Sequence, residues 1–306
     1  MLNVGDLILL DSLGVLRARG ADMVRFLQGQ LSNDLTRLSA ECSLLAGYHN
    51  PQGRVIGVLR LVHLAADDVL AVLPRELVVP VAQRLAKFIL RAKVKLADES
   101  SLWLIAGLPG RAATDLPELP HAVDRAARID ESIVVRLAGE SPRWLVVSPA
   151  AQRLALDSSP ALAARWQRLA IAAGAPQVYA ATSEHFLAQM LNLDVLGAIA
   201  FDKGCYTGQE VIARAHYRGH VKRRMQRFLT AQPAQLKAAD SGVLTDGRSF
   251  RVVRAAEHPD GRSEFLAVTA LESAASTPQA DRAPDAAGTA APLNARQLEL
   301  PYALPE

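Results

Sequence analysis

The first third of the chain alternates between strand-like and helix-like spacing of its apolar residues. Residues 6–19 alternate loosely between apolar and polar positions, which predicts strand, and the sequence Gly-Ala-Asp at 20–22 interrupts them. Apolar residues recur at helical spacing over 21–35 and predict a helix there. Residues 54–64 and 69–74 are rich in leucine and β-branched residues, and we expect them to pair as a hairpin.

The middle of the chain continues this mixture without a strict strand–helix–strand rhythm. Apolar residues on one face predict an amphipathic helix over 76–92, with Phe88 on its core side. Strands are predicted at 101–109 and twice within 130–148, and a further helix at 161–173. This irregular order indicates the α+β class rather than a doubly wound parallel sheet. The sequence contains no glycine-rich nucleotide-phosphate motif.

The last third of the chain has a different pattern. Short strand-like pieces separated by Gly, Asp and Pro turns predict a small antiparallel β-barrel. Residues 272–292 are dominated by Ala, Pro, Ser, Thr and Gly and are predicted to form a disordered loop, whereas 293–304 can return as a last strand. The sequence therefore predicts two regions, an α+β region over 1–221 and the barrel over 222–306.

Composition is that of an ordinary globular protein. The 306 residues suffice for two or three packed units, and 50% of them are apolar. The two cysteines, Cys42 and Cys205, are too distant in sequence for a zinc-knuckle spacing and too few for a disulfide framework, which favours a reducing, cytoplasmic setting. No apolar stretch reaches the ~18 residues of a membrane span. The N-terminal sequence lacks the basic segment and cleavage site of a signal peptide, so we expect no membrane partner.

Positive charge is concentrated in one segment. The chain carries a net charge of +3, yet residues 211–239 contain seven basic residues and no acidic one, so the rest of the chain is at −4. The seven are Arg214, Arg218, Lys222, Arg223, Arg224, Arg227 and Lys237. Such a concentration predicts an anionic partner, and the alternative is a solvated edge without a partner.

The sequence KGCYTGQE precedes this basic segment. Thr207 and Glu210 fit a capping box, which predicts that a helix begins at Gly208 and ends at Gly219. The alternative is a strand, because basic residues alternate regularly over 214–220. The specific capping pattern favours the helix.

Cys205 would then lie just outside a helix N-terminus, two residues after Lys203. A helix dipole and a nearby ammonium both favour the thiolate, so this cysteine can be reactive. The alternative is a small buried residue in a tight turn, and Cys42 is expected to pack in the core. His216 and His220 have the i,i+4 spacing of a metal pair but lack a third ligand, so we assign them to the basic face and predict no metal site.

The KGCYTGQE motif and the segment that follows it resemble a known protein family. KGCYTGQE followed by VIARAHYRGHVKRR resembles the signature of the YgfZ-type folate-binding proteins, relatives of the glycine-cleavage T-protein (aminomethyltransferase). Segments 26–35, 166–176 and 188–205 resemble the same family in the expected order. The resemblance covers residues 10–225 well. It implies a body of ferredoxin-like units around a central channel that binds tetrahydrofolate, followed by a C-terminal β-barrel.

The resemblance also implies a function. A folate-binding accessory protein of this kind supports assembly or repair of iron–sulfur clusters in a subset of enzymes, including those that thiolate tRNA. The implied partners are folate, iron–sulfur client enzymes or assembly proteins, and tRNA through the basic segment. One alternative is a tetrahydrofolate-dependent one-carbon transferase, and a second is a tRNA-binding module. Whether the chain is an enzyme stays open, with the accessory role preferred.

The resemblance assigns the functional residues of the family to single positions of this sequence. The family cysteine matches Cys205, beside Lys203. The residues expected to contact folate are Trp166, Gln189, Asn192, Tyr206, Gln209, Glu210, Arg214 and Arg218. Of these, Arg214 or Arg218 would hold the anionic glutamate tail through bidentate hydrogen bonds.

The chain departs from the family pattern at three positions. Ala172 stands where the T-protein helix has the glutamate that holds the pterin. Leu13 replaces a second tryptophan, and Ala188 replaces a common proline. These departures argue against full aminomethyl transfer.

Overall fold

The fold is described from a computed structural model, and the residues that the structure describes are 7–110, 118–152, 154–271 and 291–305. Within them, sixteen strands form three sheets, and no helix is long and apolar enough to cross a membrane. The helices are α1 (Met23–Gln28), α2 (Arg75–Ala86), α3 (Pro160–Ala172) and α4 (Gln209–Tyr217). The strands are β1 (Leu7–Leu9), β2 (Leu13–Arg19), β3 (Leu44–His49), β4 (Val55–Ala65), β5 (Asp68–Pro74), β6 (Lys95–Asp98), β7 (Trp103–Pro109), β8 (Ala126–Ile129), β9 (Ser132–Arg136), β10 (Arg143–Pro149), β11 (Leu156–Asp157), β12 (Arg223–Pro233), β13 (Ser241–Val243), β14 (Ser249–Glu257), β15 (Arg262–Ala270) and β16 (Ala295–Leu298). This mixture confirms a fold that combines helices with several sheets.

The first sheet is antiparallel, in the order β3-β4-β5-β2-β6. The predicted hairpin is confirmed as β4 and β5. The helix predicted over 21–35 is shorter, since α1 ends at Gln28. The Gln28 side chain donates to the Asp34 carboxylate at 2.9 Å and accepts from the Leu35 N–H at 2.7 Å, which fixes the next residues as a turn.

Helix α2 also ends earlier than predicted. It stops at Ala86, and the backbone continues in tight turns, with the Phe88 N–H bonded to the Leu85 carbonyl at 3.0 Å. The helical register is lost there, so Phe88 is exposed instead of lying on the core side. Ile89 packs against the core.

The second sheet has the order β11-β1-β7-β10-β9-β8 and is antiparallel except where β1 pairs with β11. The strands predicted at 101–109 and within 130–148 are confirmed as β7, β9 and β10. The helix predicted at 161–173 is confirmed as α3, whose N-cap Ser159 accepts a hydrogen bond from the Leu162 N–H.

The third sheet contains the C-terminal strands in the order β13-β14-β15-β12-β16, all antiparallel. The predicted last strand is confirmed as β16. In the described residues this hydrogen-bonded ladder stays open, although an isolated parallel bridge joins Leu244, next to β13, to Leu293, near β16. Most of the predicted loop at 272–292 lies outside the described residues.

Two buried clusters tie the sheets together. The larger contains residues of the first sheet together with residues of the third, such as Met225 and Leu266. A second cluster joins the first and second sheets through residues such as Val72 and Leu145, and Trp166 of α3 belongs to it. The space beside Trp166 is therefore framed by both sheets.

Candidate functional site

A cavity beside Trp166 is lined by residues of the first sheet, the second sheet and the end of α3. The cavity has a volume of about 140 Å³. Its apolar wall includes Leu13, Leu45, Val58, Val72, Leu137 and Leu145. The Trp166 ring lies on the backbone of β7, because a Cβ added at Gly107 would be 2.6 Å from a ring carbon. Glycine at this position lets the indole reach the cavity.

Of the residues that the structure describes, three arginines and one carboxylate line the same cavity. Asp124 forms an ion pair with Arg60. The Arg143 guanidinium lies 5.5 Å from the centroid of the Trp166 ring. Neither Arg143 nor Arg254 forms an ion pair with any carboxylate in the described part of the chain. The cavity therefore holds two uncompensated positive charges within an apolar wall.

Burial makes these charges costly. The Arg143 Nε donates to the Ala138 carbonyl at 3.1 Å, and the Arg254 Nε donates to the Gln167 side chain at 2.7 Å. Burial lowers the pKa of Arg143 to about 9, and repulsion from Arg254 and Arg60 acts in the same direction. A buried charge without a partner is unfavourable, so an anionic ligand placed between these groups would be stabilised.

Sequence reasoning missed these arginines. Arg60 stands within VLRLV, Arg143 immediately precedes WLVVS, and Arg254 follows two valines. A charged residue in a run of apolar strand residues is the signal that could have identified them, since such residues are seldom buried without a partner.

Cys205 lies in an exposed turn before α4 and forms no disulfide. The helix is confirmed over the strand alternative, but the predicted capping box is wrong. The N-cap is Gly208, and neither Thr207 nor Glu210 caps the helix with its side chain. Gly208 has a φ of 82°, and a Cβ there would lie 2.6 Å from the Asn50 carbonyl oxygen. Only glycine lets this turn pack so closely on the β3–β4 hairpin.

Lys203 anchors the same turn. Its Nζ donates to the backbone carbonyls of Gln28, Leu31 and Asn33 at 2.7, 2.7 and 2.8 Å. Burial lowers the pKa of Lys203 to about 8. All three ammonium protons are used by these carbonyls, so the side chain fixes the cysteine turn to the segment after α1.

Tyr206 and Gln209 close the turn. The Gln209 Oε1 accepts from the Tyr206 N–H at 3.2 Å, and burial raises the pKa of Tyr206 to about 12. The Tyr206 ring centroid lies 6.3 Å from that of His49, a fully buried side chain whose pKa burial lowers to about 3. In the described residues, no three His, Cys, Asp or Glu side chains are placed to hold a metal ion.

The side-chain amides of Gln189 and Asn192 donate hydrogen bonds to backbone carbonyls. The Gln189 Nε2 donates to the Ile212 carbonyl at 2.7 Å, and the Asn192 Nδ2 donates to the Met225 carbonyl at 2.9 Å. Both side chains are buried, and neither lines the Trp166 cavity. They fix α4 and β12 to the segment before Cys205.

The remaining predicted contacts lie on the surface. The Arg214 guanidinium is 3.6 Å from the Glu210 carboxylate, and both side chains are exposed, as is Arg218. None of the three lines the Trp166 cavity. The structure therefore separates the predicted tail-binding arginines from Trp166.

Curated relatives match most of the chain. The tRNA-modifying protein YgfZ of Colwellia psychrerythraea is 34% identical over 227 residues, covering 71% of this chain and 69% of the relative. The proteins of the same name from Yersinia pseudotuberculosis and Escherichia coli are 32% and 31% identical. They cover 76% and 84% of this chain and 73% and 82% of their own lengths. No family model matches the chain.

A solved structure shares the fold. The chain superimposes on the glycine cleavage system aminomethyltransferase T from Bartonella henselae with a TM-score of 0.66 and 13% sequence identity. The match covers 86% of this chain and 78% of that protein. At this identity the likeness establishes the fold, and the chain adopts the aminomethyltransferase architecture.

Proposed function

The chain belongs to the YgfZ family of tRNA-modifying proteins, and from this premise we propose that it is a folate-binding accessory protein. Its role in this proposal is to support assembly or repair of iron–sulfur clusters in a subset of enzymes, including enzymes that thiolate tRNA. The observation that carries the folate part is the pair of buried, unpaired arginines, Arg143 and Arg254, beside Trp166.

The chemistry of the cavity fits tetrahydrofolate. This molecule has a planar pyrimidinone ring and a planar aminobenzoyl ring, which suit apolar walls and an indole, and a glutamate tail with two carboxylates. Arg143 and Arg254 offer the two positive charges that the carboxylates need. Val123, which lines the cavity and is about half exposed, marks an opening through which the molecule can enter. A bound reduced folate would supply one-carbon chemistry, while the chain's own residues hold and orient it.

Calorimetric titration with tetrahydrofolate tests this proposal. We expect Arg143→Gln to weaken binding by about tenfold or more, since a hydrogen bond to a charged group contributes roughly 1.5–3 kcal/mol. Trp166→Ala should weaken binding by a similar factor, because it removes a large apolar contact surface. Arg218→Gln is the matched control, because it removes an exposed arginine that the resemblance also implicated. No binding by the wild-type protein, or equal loss in Arg218→Gln, would contradict the proposal.

We propose that Cys205 is the functional thiol. It is exposed, whereas Cys42 is half-buried and packs against the core. A single cysteine cannot complete a cluster site, so the thiol would act together with a ligand from a client protein or a small thiol. The test uses a strain whose gene for this protein has been deleted. Expression of the Cys205→Ser variant should fail to restore the activity of iron–sulfur enzymes, and expression of the Cys42→Ser variant should restore it. Full restoration by Cys205→Ser would remove the thiol role.

A one-carbon transferase is the second candidate, favoured by the aminomethyltransferase fold. Among the described residues, Asp124 is the only carboxylate that lines the cavity, and it is paired with Arg60, which leaves no unpaired carboxylate of those residues in the cavity. A turnover assay with aminomethyl or methyl donors and tetrahydrofolate decides between the candidates, and the accessory role predicts no turnover.

We propose ferredoxin-like units around a central channel, and a division into regions 1–221 and 222–306. The Leu244–Leu293 bridge supports closure of the third sheet into a barrel. Two unpaired cysteines support a cytoplasmic location.

A further inference from the structure

An aromatic cluster lies at the C-terminal end of α4. Phe201 stacks on His216, with ring centroids 3.8 Å apart and planes 15° apart. Tyr217 packs edge-on against both rings, at 6.0 Å from Phe201 and 4.7 Å from His216. The Tyr217 side chain is nevertheless 67% exposed. Its neighbours thus fix the ring while most of it faces solvent.

Exposed cations lie next to this cluster in the sequence. Arg214 has a weak pairing with Glu210, whereas Arg218 and Lys222 make no ion pair in the residues that the structure describes. The cluster and its cations form a surface that we name the basic aromatic ridge. It consists of Phe201, Arg214, His216, Tyr217, Arg218 and Lys222.

A cleft adjoins the ridge. The cleft has a volume of about 290 Å³, and its lining includes Ala215, His216 and Gly219. A buried ion pair between Arg224 and Asp194 also lines it. His216 therefore belongs both to the aromatic cluster and to the cleft, so a flat group stacked on the cluster has room beside it.

We propose that the basic aromatic ridge binds single-stranded RNA, with a base stacked on Tyr217 and phosphates beside Arg218 and Lys222. Every nucleobase has a flat face for an exposed ring, and a single strand presents its bases unpaired. Cations at a helix C-terminus interact favourably with the helix dipole, which accounts for Arg214. The helix dipole does not account for Tyr217, an exposed ring that the stacked Phe201 and His216 rings hold in place. The ridge does not overlap the Trp166 cavity, so this inference is independent of folate binding.

Fluorescence anisotropy with a labelled single-stranded RNA of about 12 nucleotides, within the usual site size of such surfaces, tests the stacking. We expect Tyr217→Ala to weaken binding by about tenfold, because stacking of one base contributes roughly 1–3 kcal/mol. Tyr217→Phe keeps the ring and should bind like wild type. Unchanged binding in Tyr217→Ala, or binding of a duplex as tight as that of the single strand, would overturn the proposal.

Salt dependence tests the phosphate contacts. The double variant Arg218→Gln/Lys222→Gln should reduce the slope of log affinity against log salt by about 1.4, the value for two contacts to a single strand. Lys87→Gln/Lys93→Gln is the matched control, because it removes the same charge from exposed positions after α2. Equal slopes in the two double variants would overturn the proposal. Competition by polyglutamate as strong as that by unlabelled RNA would assign the ridge to an acidic protein instead.

Discussion

The Trp166 cavity and the basic aromatic ridge both present arginines, but in opposite surroundings. Arg143 and Arg254 are buried in an apolar wall and have no carboxylate partner among the described residues, whereas Arg214 and Arg218 are exposed. A charge in a low-dielectric wall acts strongly on a ligand, and a charge in water is weakened by solvent and salt. The cavity therefore needs only two cations to favour an anion, and the ridge needs several together with an aromatic surface.

Gly208 connects the two regions, and its substitution should have the largest effect on stability. It begins α4, which carries the ridge, and packs on the hairpin whose strand β4 carries Arg60. Gly208→Ala should lower the free energy of unfolding by about 3 kcal/mol, because a Cβ at positive φ would also clash with the Asn50 carbonyl.

Gly204→Ala is the control for that prediction. No atom lies within 4 Å of a Cβ added at Gly204, and the change should stay within about 0.5 kcal/mol. Urea unfolding of the two variants measures the difference. Equal stability would show that the close approach at Gly208 does not constrain the turn.

Histidines offer the same contrast between buried and exposed groups. Burial lowers the pKa of His49 from its ordinary value near 6.5 to about 3, so the unfolded chain takes up this proton first as the pH falls. The stabilisation is complete above pH ~6.5 and should decrease by about 2 kcal/mol between pH 7.5 and 5.

Urea unfolding at both pH values checks this. His49→Gln should flatten the pH dependence, and His216→Gln is the comparison variant at an exposed histidine. A pH dependence in His49→Gln as steep as in wild type would contradict the assignment.

Arg143 and Arg218 allow a direct comparison of one residue type. Arg143→Met removes an unpaired buried charge and should raise the free energy of unfolding by about 1 kcal/mol in the absence of ligand. Arg218→Met should change it by less than about 0.5 kcal/mol. Thermal and urea unfolding measure both, and destabilisation by Arg143→Met would show that its bond to Ala138 outweighs the cost of burying the charge.

The smallest predicted effect concerns helix capping. Thr207 does not cap α4, so Thr207→Ala should change the free energy of unfolding by less than about 0.5 kcal/mol. Ser159 does cap α3, and Ser159→Ala should cost about 1 kcal/mol. Equal costs in urea unfolding would mean that Thr207 acts as a cap in solution.

Periodicity was sufficient for most strands and for α3, because their apolar residues face a core on a regular repeat. It failed at the ends of α1 and α2, where Gln28 hydrogen bonds and tight turns near Phe88 end the helix. The capping box failed because long-range packing against Asn50 decides the start of α4.

The candidate site was less accessible to sequence reasoning. The concentration of charge over 211–239 identified the ridge, but it also included Arg224 and Arg227, which pair with Asp194 and Glu264 from distant segments. The cavity arginines come from three separate strands, so no local pattern brings them together. Cys205 was predicted as a site residue because its motif is contiguous in the sequence. Trp166 was predicted only through the resemblance to the family.

The three carbonyls around the Lys203 ammonium amount to an ion cage whose cation is covalently attached to the chain. Backbone carbonyls arranged in this way also coordinate potassium or ammonium ions in other proteins. Shortening the side chain, as in Lys203→Ala, would leave these three carbonyls without the donor that they now share. The position of the Cys205 turn would then depend on the concentration of a small cation in solution. Millimolar ammonium should occupy the position of the missing ammonium group and fix the turn again.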